Sequence, residues 1–425
     1  MAYCSILMYL AAVYLQPGIK YPALAPFRPV VVLGVFAIVS GTVYLVRRQG
    51  RPLIFDRQLK MMFIILLFMG VSVLGAYIKI LAYEEWVAFA KVVVFTVFLV
   101  NVVDSVPKFK GLLYVLILIH VGVAIEGLEG FYTESDRGDR EGLKGTLSNF
   151  LGDTNDFALA INVMIPYTYF LAFATRRVWV RIFLLGCLGL FGLASMFTFS
   201  RGGFVTLAAL LIYFLLKSEK KLGVLIVSGA LALLTLVVLP QSYWERMQTI
   251  GDYQSDGNVQ TRFWAWKAGW HMALDHPIIG MGPRNFVTGY RVFYRPPEAS
   301  PRRLYAAHSI YFQIMGELGF VGLALLGRLV VITFRDQRQT LDAYRAGEAE
   351  SDDGEFIRAA SHATQASLLA FLIGGAFLSA AYYPHLWFNA ALTQILARTA
   401  LDDLQRARAV ERIGSPNVTP AYQRA

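Results

Sequence analysis

Apolar runs of about 18 to 22 residues recur along the chain between short polar stretches, and runs of that length suit helices crossing a hydrocarbon core of about 30 Å. Strict alternation of the β-barrel kind is not evident. About twelve spans are predicted, near Ala2–Ile19, Val30–Val46, Met61–Ile80, Trp86–Val103, Leu112–Leu128, Phe157–Thr175, Val178–Met196, Gly203–Leu216, Leu222–Leu239, Ile310–Phe334, Ala363–Ala381 and Pro384–Ala397. The expected fold class is therefore an all-α polytopic membrane protein with about twelve transmembrane helices. One connector is far longer than the rest, residues 241–307. Inside it Phe263, Trp266, Trp270 and Leu274 share a stripe at helical spacing, ended by Pro277, which predicts an amphipathic helix at a membrane interface.

Composition agrees with this pattern: the 425 residues are 56% hydrophobic and only 16% charged, with mean hydropathy +0.51. A net charge of +10 does not point to nucleic acid, because the basic residues are divided among the loops. Lys and Arg collect in alternate connectors, at Arg47, Pro107–Lys110, Arg176–Arg181, Lys217–Lys221 and Arg335–Arg358. Short basic loops stay in the cytoplasm, so both termini are expected there, and the 241–307 connector on the opposite side. The first segment has no basic leader or clear cleavage site, and is expected to be a retained span. The two cysteines, Cys4 and Cys187, sit in apolar runs and offer neither a disulfide framework nor a metal cluster.

The candidate chemistry lies on the outer side. "FTFSRGGF" from Phe197 places Arg201 between two spans, and Arg262 lies at the start of the amphipathic helix. Between Arg284 and Arg303 there are five arginines, one acid and no lysine, a composition suited to gripping phosphate oxygens in pairs. Contact with lipid headgroups is an equally good reading for Arg291, Arg295, Arg302 and Arg303. His308 heads the next span, and an imidazole accepts a hydroxyl proton near neutral pH. A structural histidine at a helix start is the plainer alternative. Glu317, further along that span, is expected to pair with a buried arginine or a backbone donor. The aspartates of "LGDTNDF" at Leu151 read as turn and cap residues. The membrane interior carries few charges, which argues against an ion-coupled transporter, and there is no P-loop for ATP.

Three patterns, "FSRGGF", "TRFWAWKAGWHMALDHPIIGMGPRNF" and "AHSIYFQIMGELGFVGLALL", follow one another in an order that resembles the O-antigen ligase and O-antigen polymerase superfamily. The resemblance covers roughly Thr146 to Leu326. It implies residues 1–130 as a variable set of transmembrane helices, 131–400 as the ligase-like membrane domain with its outer loop 241–307, and 401–425 as a cytoplasmic tail. It also implies a metal-independent, inverting glycosyltransferase without cofactor in the bacterial inner membrane, with its active site on the periplasmic face. A glycan would pass from undecaprenyl diphosphate to an acceptor hydroxyl, foremost on lipid A–core. By the same resemblance Arg201 and Arg262 hold the donor diphosphate and His308 is the general base. Arg284, Asn285, Arg291, Tyr305 and Tyr311 are candidate substrate contacts. A repeat-unit polymerase and an O-linked protein oligosaccharyltransferase share this donor chemistry. A lipid-linked sugar flippase is the rival of another class, and would need charges along a path through the midplane.

Overall fold

The computed structural model describes residues 1–48, 52–135, 143, 151–217, 221–223, 225–226, 229, 233, 257–297, 299, 305–345 and 353–414. Among these the secondary structure is helical, without strands. The major helices are α1 (Ala2–Leu15), α2 (Pro29–Arg47), α3 (Arg57–Gly75), α4 (Lys79–Val102), α5 (Val106–Ser135), α6 (Thr154–Asn162) and α7 (Ile165–Ala174). They are followed by α8 (Val178–Phe197), α9 (Arg201–Lys217), α10 (Gly257–Asp275), α11 (Ile310–Arg345), α12 (Gly354–Gly375) and α13 (Pro384–Gly414).

Seven helical stretches among the described residues are long and apolar enough to cross a membrane, fewer than the twelve expected. The first span is α1, which is apolar but short. The eighth is α9, which is also short, and the expected Leu222–Leu239 lies almost wholly outside the described residues. The last two expected spans correspond to α12 and to the first half of α13, and neither is among the seven. The reason for α12 is its position: it packs against α7, α9, α11 and α13, so polar side chains there face protein. Ser361 and Thr364 are buried and return their hydroxyls to the carbonyls of Ile357 and Ala360 at 2.8 and 3.0 Å, which satisfies them without water.

The outermost helices show the opposite pattern. Along α2, Val31, Val32, Val35, Ile38 and Val39 are exposed, an apolar face that suits lipid. The innermost span, Thr154–Ala174, is two pieces, because Pro166 has no N–H to offer the carbonyl of Asn162. Between α6 and α7 the helix turns at Val163 and Met164, and nearly every side chain from Phe157 to Ala172 is buried.

Candidate functional site

The turn between α8 and α9 is built by short side chains. Phe199 takes a left-handed conformation, φ 54°, and reverses the chain. Ser200 Oγ then accepts the N–H of Gly203 at 3.0 Å and donates to Asn155 Oδ1 at 2.7 Å, capping α9. Arg201 is the first residue of α9 and is half-buried. The glycines behind it serve helix packing: a Cβ on Gly203 would lie 2.8 Å from that of Ala158, and one on Gly202 would lie 3.2 Å from that of Phe377.

Helix α10 begins at Gly257, so Arg262 lies in its second turn and not at its start. Its inward face is small, with Ala265, Ala268 and Met272 buried, and it packs along α11. The aromatic stripe points the other way. Phe263, Trp270 and Leu274 are exposed, while Trp266 stacks on Phe312 with centroids 5.4 Å apart and planes within 9°.

After α10 the chain enters a backbone lock that unites two of the sequence patterns. Helix α11 breaks at Gly319, φ 69°, which releases carbonyls that an unbroken helix would use. Met281 N–H donates to the carbonyl of Gly316 at 3.0 Å, Gly282 N–H to that of Glu317 at 2.9 Å, and Phe320 N–H to that of Pro277 at 2.9 Å. Such an approach leaves no room for side chains. A Cβ on Gly280 would lie 2.3 Å from the Glu317 carbonyl carbon, and one on Gly282 would lie 2.3 Å from the Cβ of Ala76. Asn285 completes the lock; buried, it accepts the Ile78 N–H at 2.9 Å and donates to the carbonyls of Ile78 and Pro283. Glu317 has a backbone partner, the N–H of Phe286, which its Oε1 accepts at 3.3 Å.

His308 precedes α11 in a left-handed conformation, φ 45°, and its N–H donates to Ser379 Oγ at 2.8 Å. Burial lowers the affinity of its imidazole for a proton, and the Arg262 guanidinium lowers it further, with Asp153 acting in the opposite sense. The ring is therefore neutral near pH 7 and able to accept a proton. Asp153 caps α6 through the N–H of Asn155 at 2.8 Å and also accepts from Asn155 Nδ2 at 2.9 Å. Since Asn155 is the partner of Ser200, a hydrogen-bonded chain runs from the residue before Arg201 to the carboxylate that acts on His308. Asp156 accepts the Tyr383 hydroxyl at 3.1 Å, and burial together with this carboxylate raises the Tyr383 pKa.

Residues 185–327 match the family model for O-antigen ligase. That stretch of the chain is similar to O-antigen ligase. No curated protein matches the chain. The matched stretch contains Arg201, Arg262 and His308, whereas the Asp153 loop, Ser379 and Tyr383 come from outside it.

The other candidates are dispersed. Arg284 is exposed in a left-handed conformation, φ 60°, and its guanidinium meets Glu84 at 2.7 Å. Arg291 and Arg295 are exposed, Tyr305 sets its ring edge-on to Tyr290 at 5.6 Å, and Tyr311 donates to the carbonyl of Leu372 at 2.9 Å. Arg302 and Arg303 lie outside the described residues. Sequence reasoning missed the contribution of Asp153, Asp156, Ser379 and Tyr383. "LGDTNDF" carried the only signal, and its capping duty obscured the second role. His120 is buried with Nδ1 on the Leu116 carbonyl at 2.8 Å, a packing histidine. Among the described residues no His, Cys, Asp and Glu cluster has metal-ligand spacing.

Proposed function

We propose that the protein transfers a glycan from undecaprenyl diphosphate to an acceptor hydroxyl at the outer face of the bacterial inner membrane, as an O-antigen-ligase-like enzyme with lipid A–core as the foremost acceptor. The observation that carries this reading is the environment of His308, an imidazole kept neutral by burial and by Arg262 inside the segment that matches O-antigen ligase. In the reaction the acceptor oxygen attacks the anomeric carbon, and the bond from that carbon to the phosphate oxygen breaks with its electron pair leaving on the lipid diphosphate. The hydroxyl proton passes to His308. Attack opposite the leaving group inverts the anomeric centre.

Arg262 has a double part in this scheme. Its charge disfavours protonation of the resting imidazole, and with Arg201 it meets the negative charge that grows on the departing diphosphate. The orientation follows from the basic alternate loops, with both termini cytoplasmic and the His308 end outside. The polar concentration at one end of the bundle favours chemistry there over a flippase path.

Transfer by the purified protein, with lipid-diphosphate-linked glycan, candidate acceptors, chelator and no nucleotide, tests the reading. Product on lipid A–core that disappears in His308→Ala and Arg262→Ala is the expected result. Longer lipid-linked chains would make the enzyme a polymerase, and product on a protein hydroxyl an oligosaccharyltransferase. Passage of labelled lipid across the bilayer with no transfer to any acceptor would overturn the proposal in favour of a flippase.

A further inference from the structure

Beside His308 lies a cavity of about 190 Å³ lined by Glu85, Arg284, Gln313, Glu317, Ser379 and Tyr382, with Ala307 and Tyr383 at its wall. It reaches both residues that fix the His308 backbone, its chain neighbour Ala307 and its hydrogen-bond acceptor Ser379. Two polar atoms on its wall are buried and lack a hydrogen-bond partner, Glu317 Oε2 and the Tyr382 hydroxyl. Both residues are more than nine-tenths buried, at 2% and 9% exposure. The two groups interact with one another without completing a hydrogen bond of good geometry. Leaving such groups unmet is costly, and a native fold keeps them where something else completes them.

The remaining wall specifies what that is. Ser379 accepts the His308 N–H and retains its own hydroxyl proton to donate. Gln313 Oε1 holds the Ala381 N–H at 3.1 Å, which leaves the amide end of the side chain for a ligand. Carboxylate, phenol, amide and hydroxyl groups set around one small volume match vicinal hydroxyls, each of which donates and accepts, and the two tyrosines of the lining add aromatic carbon for the C–H side of a sugar. The space suits one ring and not a longer chain. Two carboxyl groups, Glu85 and Glu317, stand against one guanidinium, Arg284, which already has Glu84 as a partner. That balance disfavours a carboxylated sugar.

We propose that this cavity is the subsite for one neutral or amino sugar ring of the acceptor glycan, whose hydroxyls bridge Glu317 Oε2 and the Tyr382 hydroxyl and so bring a neighbouring hydroxyl to His308. This assignment rests on the transfer reading above, and two separate measurements keep the two distinguishable. The first needs no donor: thermal unfolding of the full-length protein in nanodiscs with glucose, glucosamine or glucuronate at tens of millimolar. Glucose or glucosamine raises the unfolding temperature of the wild type, glucuronate does not, and Tyr382→Phe abolishes the response. The second is kinetic. Tyr382→Phe and Glu317→Gln raise the acceptor KM about tenfold, the equivalent of about one hydrogen bond to a charged group, while the donor KM and the acid limb of the pH profile stay in place. A merely structural role would move those as well. Because Tyr382→Phe removes an atom without a partner, it leaves the fold intact even if Glu317→Gln does not. Failure of the wild type to transfer would count against the proposed function alone, with the sugar response still deciding the cavity. An unchanged acceptor KM in Tyr382→Phe, or equal responses to all three sugars in wild type and variant, would overturn the subsite.

Discussion

Left-handed backbone occurs at several places among the described residues, Gln16 and Arg28 included, and two of these places meet the demand differently. At the lock between α10 and α11 the three residues with positive φ are Gly280, Gly282 and Gly319. Around the candidate site they are Phe199 and His308, whose side chains make the conformation cost about 1–2 kcal/mol each, and Arg284, beside the lock, keeps an exposed side chain in the same conformation. The lock needs bare backbone because neighbouring segments already fill the space a Cβ would take. At His308 a glycine would be easier for the fold, yet an imidazole is there. At the contacts of the lock the strain has been removed; at His308, as at Gln16 and Arg28, it is tolerated. The turn itself does not ask for an imidazole, which suits the proposed role of His308 as base.

Substitution at the lock gives the largest effect. In Gly280→Val the new side chain would occupy the space of the Glu317 backbone at a φ of 65°, and destabilisation beyond about 4–5 kcal/mol is expected. The measurement is recovery of monodisperse protein from the membrane, where little or none should be found. Normal recovery would break the comparison.

His308→Gly should do the reverse. Relief of the left-handed strain keeps its unfolding temperature at or above that of the wild type, while the transfer rate falls about 10²–10⁴-fold with loss of the base. Calorimetry paired with the rate assay checks both halves.

The electrostatics around His308 give a smaller, signed effect. Burial and Arg262 hold its pKa below the ordinary 6.5, so transfer should rise with pH and reach its plateau before neutrality. Arg262→Gln removes a cation that opposes protonation, so the acid limb moves to higher pH. Asp153→Asn removes an anion that favours it, so the limb moves to lower pH. Shifts in the same direction in pH–rate profiles would contradict the arrangement. Smallest of all, Tyr383→Phe breaks the hydrogen bond to Asp156 and should lower stability by about 1–3 kcal/mol, read in denaturation, with His308 left in place.

How much of this was legible in the sequence differs between the same two places. Arg201, Arg262 and His308 are visible because each stands at a polar break in an apolar pattern, and the family match covers all three. The lock is invisible to periodicity. Nothing in "GMG" or "ELGF" says that one turn will donate to the carbonyls freed by the other across some 35 residues. The break at Gly319 lies inside a run that reads as one continuous span, and the structure continues that helix to Arg345. Asp153 was seen only as a cap because its second effect depends on α6 meeting the end of the His308 segment. The span count suffered from the same limit. Window hydropathy responds to apolar content, whereas α12 is set among other helices and carries serines and threonines that its neighbours shield.

The proposed role of His308 as base is tested most directly by chemical rescue. His308→Gly keeps the left-handed turn and leaves space where the ring stood, so added imidazole should restore a measurable part of the transfer rate, with no restoration in Arg262→Ala. Wild-type rates in His308→Gly without imidazole would contradict the account.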